Sequence, residues 1–240
     1  MDPLTKRLIE RATARLQVLD ADPDSPRIGE MWLRADLANG FFDDFSGASL
    51  DKDRWRTIVI GGAPSVGIDN GKLAWSSSTS DRGMVVARTP LHCDRDQKLR
   101  FEFHPSDMAR SDGSVVTPVV QRGDSIPSTY DGGNNALFFR VNGDGTHLTV
   151  ERPGSTQFSV PPSDPTNLIR VEVTTVPADE TVAIVITDLT DNNAELANIS
   201  YTYTQLGITT ASRLWFAPCI DPSISLGYAY KFTEVEIAQL

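Results

Sequence analysis

The chain has 240 residues, of which 22 are basic and 32 acidic, giving a formal net charge of −10. Its length allows a substantial core, and 40% hydrophobic with 22% charged residues is ordinary for a globular protein. The acidic balance argues against nucleic acid or an anionic membrane as the main partner, and the sequence has no run of about eighteen apolar residues that would predict a membrane-spanning helix.

The N-terminal segment, residues 3–19, is predicted to form a short basic amphipathic helix. Its apolar residues recur at steps of three and four, the coiled-coil spacing: Ile9, Ala12, Leu16 and Leu19. A helix this short is marginal in water by itself, so we expect it to need a partner. That partner is its own β-domain, sister copies in a homo-oligomer such as a trimer, or another protein, and the sequence leaves these alternatives open.

An acidic linker with two prolines, residues 20–26, leads into the segment Pro26-Arg-Ile-Gly-Glu-Met-Trp32. This segment resembles Pro-x-x-Gly-Glu-Leu/Met-Trp, a phrase common in bacteriophage tail and fibre proteins. The resemblance implies that residues 1–40 form an attachment segment that binds other virion proteins, with Trp32 as its anchor. The alternative is that Trp32 simply packs on the β-domain.

The N-terminal residues do not read as a secretory signal, because their basic side chains are not followed by an apolar core and a small-residue cleavage site. Cys93 and Cys219 lie far apart and have no metal-type spacing. These features predict a reduced protein that is assembled in the cytoplasm, although a disulfide between the two cysteines is left open. The resemblance to phage tail proteins implies that this cytoplasm is that of the host and that the protein is located in the virion.

Residues 41–240 are predicted to form an antiparallel β-sandwich, because apolar residues alternate with polar ones in segment after segment. The most specific signal is Asn70-Gly71, since a two-residue Asn-Gly loop needs positive φ at both positions and matches the twist of a hairpin. It pairs the apolar residues on its two sides, Ile68 with Leu73 and Val66 with Trp75. The other predicted strands are centred on residues 99–103, 137–141, 148–150, 158–160, 169–173, 182–186, 199–203, 214–216 and 228–232. The segment 153–155 is interpreted as a three-residue loop that joins the strands at 148–150 and 158–160.

Five segments together resemble the concanavalin A-like (laminin G or glucanase-like) jelly roll: Asp43–Trp55, Asn70–Leu73, Asn135–Arg140, Asn167–Glu172 and Gly227–Ile237. The resemblance covers residues 41–240 and implies that the last of these segments is the closing strand of the sandwich. It says little about function, because this fold serves lectins, hydrolases and structural proteins alike.

The same resemblance raises the question of a metal. Jelly rolls of this kind often hold a structural Ca²⁺ between the opening acidic segment and the last strand, which implies Asp43 and Asp44 as candidate ligands. Lys231 and Phe232 stand where the family often places an acidic or amide residue, and this departure argues against calcium. The alternative is that the two aspartates cap a turn, and no other cofactor is expected.

Two glycine-containing loops have the composition of a sugar-binding site. The candidate ligand-binding residues are Tyr130, Asp131, Asn134 and Asn135 in the first loop and Asn142 and Asp144 in the second. An aromatic ring would stack on the sugar, the carboxylates and amides would bind its hydroxyls, and the glycines would permit close approach. The alternative is that both loops are ordinary tight turns.

Catalytic motifs are missing from the sequence. Glucanases of this fold carry Glu-x-Asp-x-x-Glu, because retaining hydrolysis needs two carboxylates about 5 Å apart, and this chain has no such motif. The nearest acidic alternation, Glu234 and Glu236, is interpreted as a solvated strand face. The three histidines are scattered, which argues against a zinc site or a catalytic triad.

We therefore expect a non-enzymatic bacteriophage virion structural protein, a tail, baseplate or fibre component that displays a lectin-like β-sandwich for recognition of a host surface glycan. The alternatives are a carbohydrate-binding module or a capsid decoration protein. A glycan hydrolase with an unrecognised site is a third hypothesis. Neither nucleic-acid binding nor membrane insertion is expected.

Overall fold

The computed structural model describes residues 16–19, 31–34, 40–61, 65–77, 82–108, 119–126, 135–141, 148–152, 158–160, 164–220 and 228–240. The chain divides into two units, Met1–Phe41 and Phe42–Leu240. Among the described residues, no helix is both long and apolar enough to cross a membrane.

In the first unit, β1 (Leu16–Leu19) and β2 (Met31–Arg34) form a two-stranded parallel sheet in which Leu16 lies opposite Met31. The helix predicted over residues 3–19 is therefore wrong at Leu16–Leu19. The physical reason is that an isolated helix of this length gains little, whereas pairing with a second apolar segment supplies backbone hydrogen-bond partners along one edge of each strand. Residues 3–15, including the predicted contact residues Ile9 and Ala12, lie outside the described residues, and Trp32 lies on β2.

One layer of the second unit is a six-stranded sheet, which we call the back sheet. In spatial order its strands are β16 (Ala194–Thr202), β15 (Thr181–Asp188), β14 (Ile169–Val176), β9 (Gln97–Phe103), β20 (Glu234–Gln239) and β3 (Phe41–Asp43). The strand β9 is central, because Phe101 lies opposite Val171 on one side and Val235 on the other, both in antiparallel register. The turn between β14 and β15 contains Pro177–Asp179.

The opposing layer, which we call the front sheet, is built from two runs of strands that adjoin where β7 leads into β8 and β17 leads into β18. The first run is β13 (Phe158–Ser159), β12 (Leu148–Glu151), β11 (Asn135–Val141), β10 (Val119–Arg122), β17 (Arg213–Phe216) and β8 (Leu91–His92). The second run is β18 (Cys219–Ile220), β7 (Arg82–Ala87) and β4 (Trp55–Gly61). Leu214 pairs with Leu91 and Cys219 pairs with Met84, both in antiparallel register. The hydrogen bond from Val85 N to Pro218 O, 3.0 Å, continues the pairing of β7 with β18 by one residue.

A third, three-stranded sheet consists of β19 (Tyr228–Phe232), β6 (Leu73–Ser77) and β5 (Ser65–Ile68). The β5–β6 hairpin confirms the predicted register, with Ile68 opposite Leu73. Its turn residues have positive φ, 52° at Asn70 and 71° at Gly71, which is the geometry that an Asn-Gly loop requires.

The core between the two layers is centred on Phe101. Its ring lies 5.3 Å from that of Phe139 and 5.0 Å from that of Phe216, both on the front sheet, and 5.9 Å from that of Phe232. Each such aromatic pair adds about 0.5–1.5 kcal/mol beyond the burial of its area. The predicted inward-facing residues of the central strands are buried: Leu99, Phe101, Phe103, Leu137, Phe139, Val141, Ile169, Val171, Val173, Val182, Ile184 and Ile186.

The structure differs from the sequence-based expectations at two connections. The predicted closing strand breaks at Thr233, whose backbone N–H donates to Glu102 O at 2.9 Å, so its two halves enter different sheets as β19 and β20. Tyr203, predicted as strand, begins the short helix α1 (Tyr203–Leu206), because Thr202 and Gln205 form a reciprocal capping box. The strands β12 and β13 pair as expected, with Val150 opposite Phe158 and Val160 N donating to Leu148 O at 2.8 Å, which is the register that a three-residue loop at 153–155 requires; the loop itself lies outside the described residues.

Candidate functional site

The predicted sugar-binding residues are placed only in part. Tyr130, Asp131, Asn134, Asn142 and Asp144 lie outside the described residues, whereas Asn135 begins β11 and pairs with Gln121 on β10. The two predicted loops are attached to opposite ends of β11, a seven-residue strand that spans about 20 Å. A single site made by both loops would therefore need one of them to reach back along the sheet, and the sugar site stays a prediction.

The two aspartates predicted as calcium ligands cap turns and anchor a tryptophan. One carboxylate oxygen of Asp43 accepts from Phe45 N at 2.9 Å, and the other accepts from Trp55 Nε1 at 2.8 Å. The hydroxyl of Ser46 and its backbone N–H hold the pKa of Asp44 below its ordinary value, with Ser46 N at 3.1 Å from the carboxylate. These contacts are the turn capping that the sequence offered as the alternative to calcium. Within the described ranges, no group of three or more His, Cys, Asp or Glu residues is placed to hold a metal ion.

The position where the family often has a metal ligand carries a positive charge that is already paired. The Lys231 ammonium lies 2.7 Å from the Asp69 carboxylate, and this hydrogen bond raises the pKa of Lys231. The ion pair joins β19 to the β5–β6 turn within the three-stranded sheet. Lys231 therefore has a structural role in this chain.

An open groove of about 710 Å³ lies between β4 and β5, within the second unit. These two strands are the last ones in their sheets among the described strands, and Ala48, Ser49, Leu50 and Lys52 also line the groove. The volume falls within the range of roughly 300–1,000 Å³ that is typical of small-molecule sites.

The wall on the β4 side is fixed by Trp55, which is only 2% exposed. Its backbone N–H donates to Asp51 O at 2.9 Å, and its ring packs 5.7 Å from Phe45 and 6.4 Å from Phe216. Because this residue is held by the core and by the Asp43 carboxylate, the adjoining backbone of β4 has little freedom to close the groove.

The wall on the β5 side follows from the hairpin register. Leu73 and Trp75 on β6 are buried, whereas their partners Ile68 and Val66 on β5 are half-buried and line the groove. Together with the half-buried Leu50, they give the groove an apolar floor.

The rim of the groove is basic. Lys52, Arg56 and Arg88 all line it, and the lining that the structure describes includes no acidic residue. Arg88 is oriented by a hydrogen bond from its Nε to Trp55 O, 3.3 Å, and the hydroxyls of Ser49 and Thr57 add donors and acceptors. In the described part of the chain, no carboxylate forms an ion pair with any of these three basic side chains. The groove can therefore present several donors to an anionic ligand.

Sequence reasoning missed this groove. Lys52 stands between Asp51 and Asp53 in the sequence, whose charges offset its own, and Arg88 lies more than thirty positions from Lys52 and Arg56. The neighbouring acidic residue Asp51 forms an ion pair with Arg54 at 3.4 Å, and its carboxylate accepts a hydrogen bond from Asp53 N at 2.8 Å. No local signal could have shown that the fold separates these charges.

The acidic residues of the closing strand are tied to a basic partner on the outer face of the back sheet. Arg100 pairs with Glu234 and lies 3.1 Å from Glu236. Arg170 pairs with Glu102 at 2.6 Å on the same face, and Lys98 pairs with Glu172 at 2.9 Å. Each of these carboxylates forms an ion pair with a basic side chain on a neighbouring strand, and such cross-strand pairs stabilise a sheet.

No protein-family model and no curated protein sequence matches this chain. Solved structures match it by shape. The lectin UEA-II in complex with galactose has a TM-score of 0.53 and 11% identity, with 83% of this chain and 97% of that chain covered. A family 7 alginate lyase in complex with its substrate has a TM-score of 0.54 and 9% identity, with 80% and 97% covered. A sialidase has a TM-score of 0.57 and 13% identity, but the match covers 84% of this chain and only 18% of that chain.

These matches confirm the fold predicted from the sequence. The chain contains an all-β, antiparallel concanavalin A-like jelly roll, the architecture shared by legume lectins and the alginate lyase. At identities this low the likeness shows the fold alone.

Proposed function

We propose that this chain is a non-enzymatic carbohydrate-binding protein whose β-sandwich binds a saccharide and whose residues 1–40 attach it to a bacteriophage particle. The observation that carries the first part is the open groove of about 710 Å³ on a lectin-like sandwich, with apolar, hydroxyl and basic groups together in its lining. Saccharide recognition combines apolar contact with a sugar ring and hydrogen bonds to its hydroxyl groups.

A glycan array probed with the purified full-length chain tests saccharide binding. We expect a restricted set of glycans to bind, and the free saccharide to compete with the immobilised one. Absence of binding to every glycan, including polysaccharide from the host surface, would contradict the proposal. The Tyr130→Ala and Asp131→Ala variants test whether the predicted loop takes part.

The non-enzymatic part of the proposal is supported by the pairing of the clustered carboxylates with Arg100, Arg170 and Lys98, which leaves them poorly suited to act as a nucleophile and acid pair. Incubation of the chain with a bound polysaccharide, followed by a reducing-end assay, measures turnover. We expect no new reducing ends over hours. Steady release would instead favour a glycan-cleaving enzyme.

Attachment to a particle is supported by the tail-like phrase that ends at Trp32 and by the division of the chain into two units. Full-length chain and the Trp32→Ala variant can be co-expressed with the particle, and their content in purified particles measured by mass spectrometry. We expect the variant to be depleted, whereas Phe158→Ala, an exposed change in the sandwich, is incorporated normally. Light scattering of the isolated chain tests the expected homo-oligomer, with a trimer favouring a fibre-like role.

A further inference from the structure

The charge of the groove is opposite to that of the chain. The chain carries a net charge of −10, yet the groove is lined by Lys52, Arg56 and Arg88 and by no described acidic residue. Low-dielectric walls focus the field of such a cleft and concentrate ligands of the opposite sign. A neutral ligand would gain nothing from this separation of charge, whereas an anionic one would.

The kinds of side chain that line the groove indicate which class of anion it could bind. Arg56 lies on β4 and Arg88 follows β7, so two planar guanidinium groups border the same groove, and each can bind a carboxylate through two N–H donors. Leu50, Val66 and Ile68 also line the groove, and their apolar side chains suit the C–H face of a sugar ring. A ligand with carboxylates spaced along an otherwise hydroxylated ring chain matches both features.

An acidic peptide is the other class of ligand that such a groove could attract, and the strands disfavour it. A peptide would be expected to add a strand to an edge. The strand β5 is only four residues long and contains Gly67, and the ladder of β4 is irregular between Val59 and Gly61. Short and irregular edges are the features by which sheets resist strand addition.

We propose that the groove between β4 and β5 binds a carboxylated saccharide, a polymer of uronic-acid type, through Lys52, Arg56 and Arg88. This inference rests on the proposed carbohydrate-binding function and names the chemical class of its ligand. Each charge-assisted hydrogen bond that is lost on removing one basic group weakens binding by about tenfold or more.

Isothermal titration of the full-length chain with oligogalacturonate provides the test. The matched ligand control is the methyl-esterified oligomer, which has the same ring chain without the charges, and we expect it to bind at least tenfold more weakly. Arg56→Gln and the exposed change Lys52→Gln are each expected to weaken oligogalacturonate binding about tenfold. The matched control variant is Arg95→Gln, since Arg95 is exposed and paired with Asp94 away from the groove, and it is expected to bind like the wild-type chain.

The outcomes separate this inference from the proposed function. Binding of neutral glycans on the array without binding of oligogalacturonate would overturn the inference and leave the carbohydrate-binding function standing. No saccharide binding of any kind would overturn both. Oligogalacturonate binding that the groove variants do not weaken, or equally tight binding of a poly-glutamate peptide, would also overturn the inference. Thermal melting of each variant checks its folding, and Lys52→Gln carries the test if Arg56→Gln is unstable.

Discussion

Replacing Gly207 with alanine is expected to destabilise the protein by about 2–3 kcal/mol. Gly207 ends α1 with a φ of 64°, in the left-handed region. A Cβ added there would lie 2.0 Å from Nη1 of Arg122, the side chain that clamps this turn. Nη1 donates to Leu206 O at 3.0 Å and to Gly207 O at 2.8 Å.

The expected loss of stability is the sum of two separate free-energy costs. A left-handed conformation costs alanine about 1 kcal/mol more than glycine. The guanidinium group is the far end of a flexible side chain, so it would move aside and the backbone would stay in place. That movement breaks the two hydrogen bonds of Arg122, and their loss adds about 1–2 kcal/mol in a partly exposed position.

Denaturant unfolding of the full-length chain measures the effect, with Gly71→Ala as the matched control. Gly71 also has a positive φ, 71°, but its added Cβ would meet nothing within 4 Å, so we expect a loss of about 1 kcal/mol. In the Arg122→Ala background, Gly207→Ala should likewise cost only about 1 kcal/mol, because the clamp is already absent. Equal costs for Gly71→Ala and Gly207→Ala, or an unchanged cost without Arg122, would refute the reasoning.

Three further predictions concern the core, a buried thiol and the metal question. Phe101→Ala should lower the free energy of unfolding by about 3–5 kcal/mol, whereas Phe158→Ala, 39% exposed, should cost less than about 1 kcal/mol; similar losses would contradict the placement of the core. Cys93 is a free thiol, and burial raises its pKa from 9.0 to about 12. In a Cys219→Ser background it should therefore react with a thiol reagent only after unfolding. The stability that this pKa shift contributes is present below about pH 9 and is lost as the pH rises towards 12. Both carboxylate oxygens of Asp43 already accept hydrogen bonds, so added Ca²⁺ should leave the melting temperature unchanged and chelation should not lower it. A rise of the melting temperature with calcium would instead support a calcium site.

Much of the sandwich was predictable because its signals are local. The Asn70-Gly71 loop fixes a hairpin register by backbone geometry alone, and strict alternation reveals a strand with one buried face. The break at Thr233 also had a signal that the sequence-based interpretation did not use. The apolar alternation that ends at Phe232 resumes at Val235, one position out of phase, and a strand cannot keep both sets on the same face.

The groove and the N-terminal strand could not be predicted, because both depend on partners that are distant in sequence. Arg88 reaches the groove only through the pairing of β7 with β4. The segment Leu16–Leu19 satisfies a helical period, and only its pairing with β2 makes it a strand. Local pattern sets a preference, and tertiary pairing decides the outcome.

The position of β9 between β14 and β20 has a consequence for synthesis on the ribosome. Arg100 on β9 and Glu234 on β20 lie 134 residues apart. One edge of β9 therefore stays unpaired until the intervening chain and β20 have been translated. At about 5–20 residues per second, that delay is roughly 7–27 s. Once β14 has been translated, β9 can pair with it, but the other edge of β9 stays unprotected until β20 is made, which makes the nascent chain most vulnerable to aggregation shortly before it is finished.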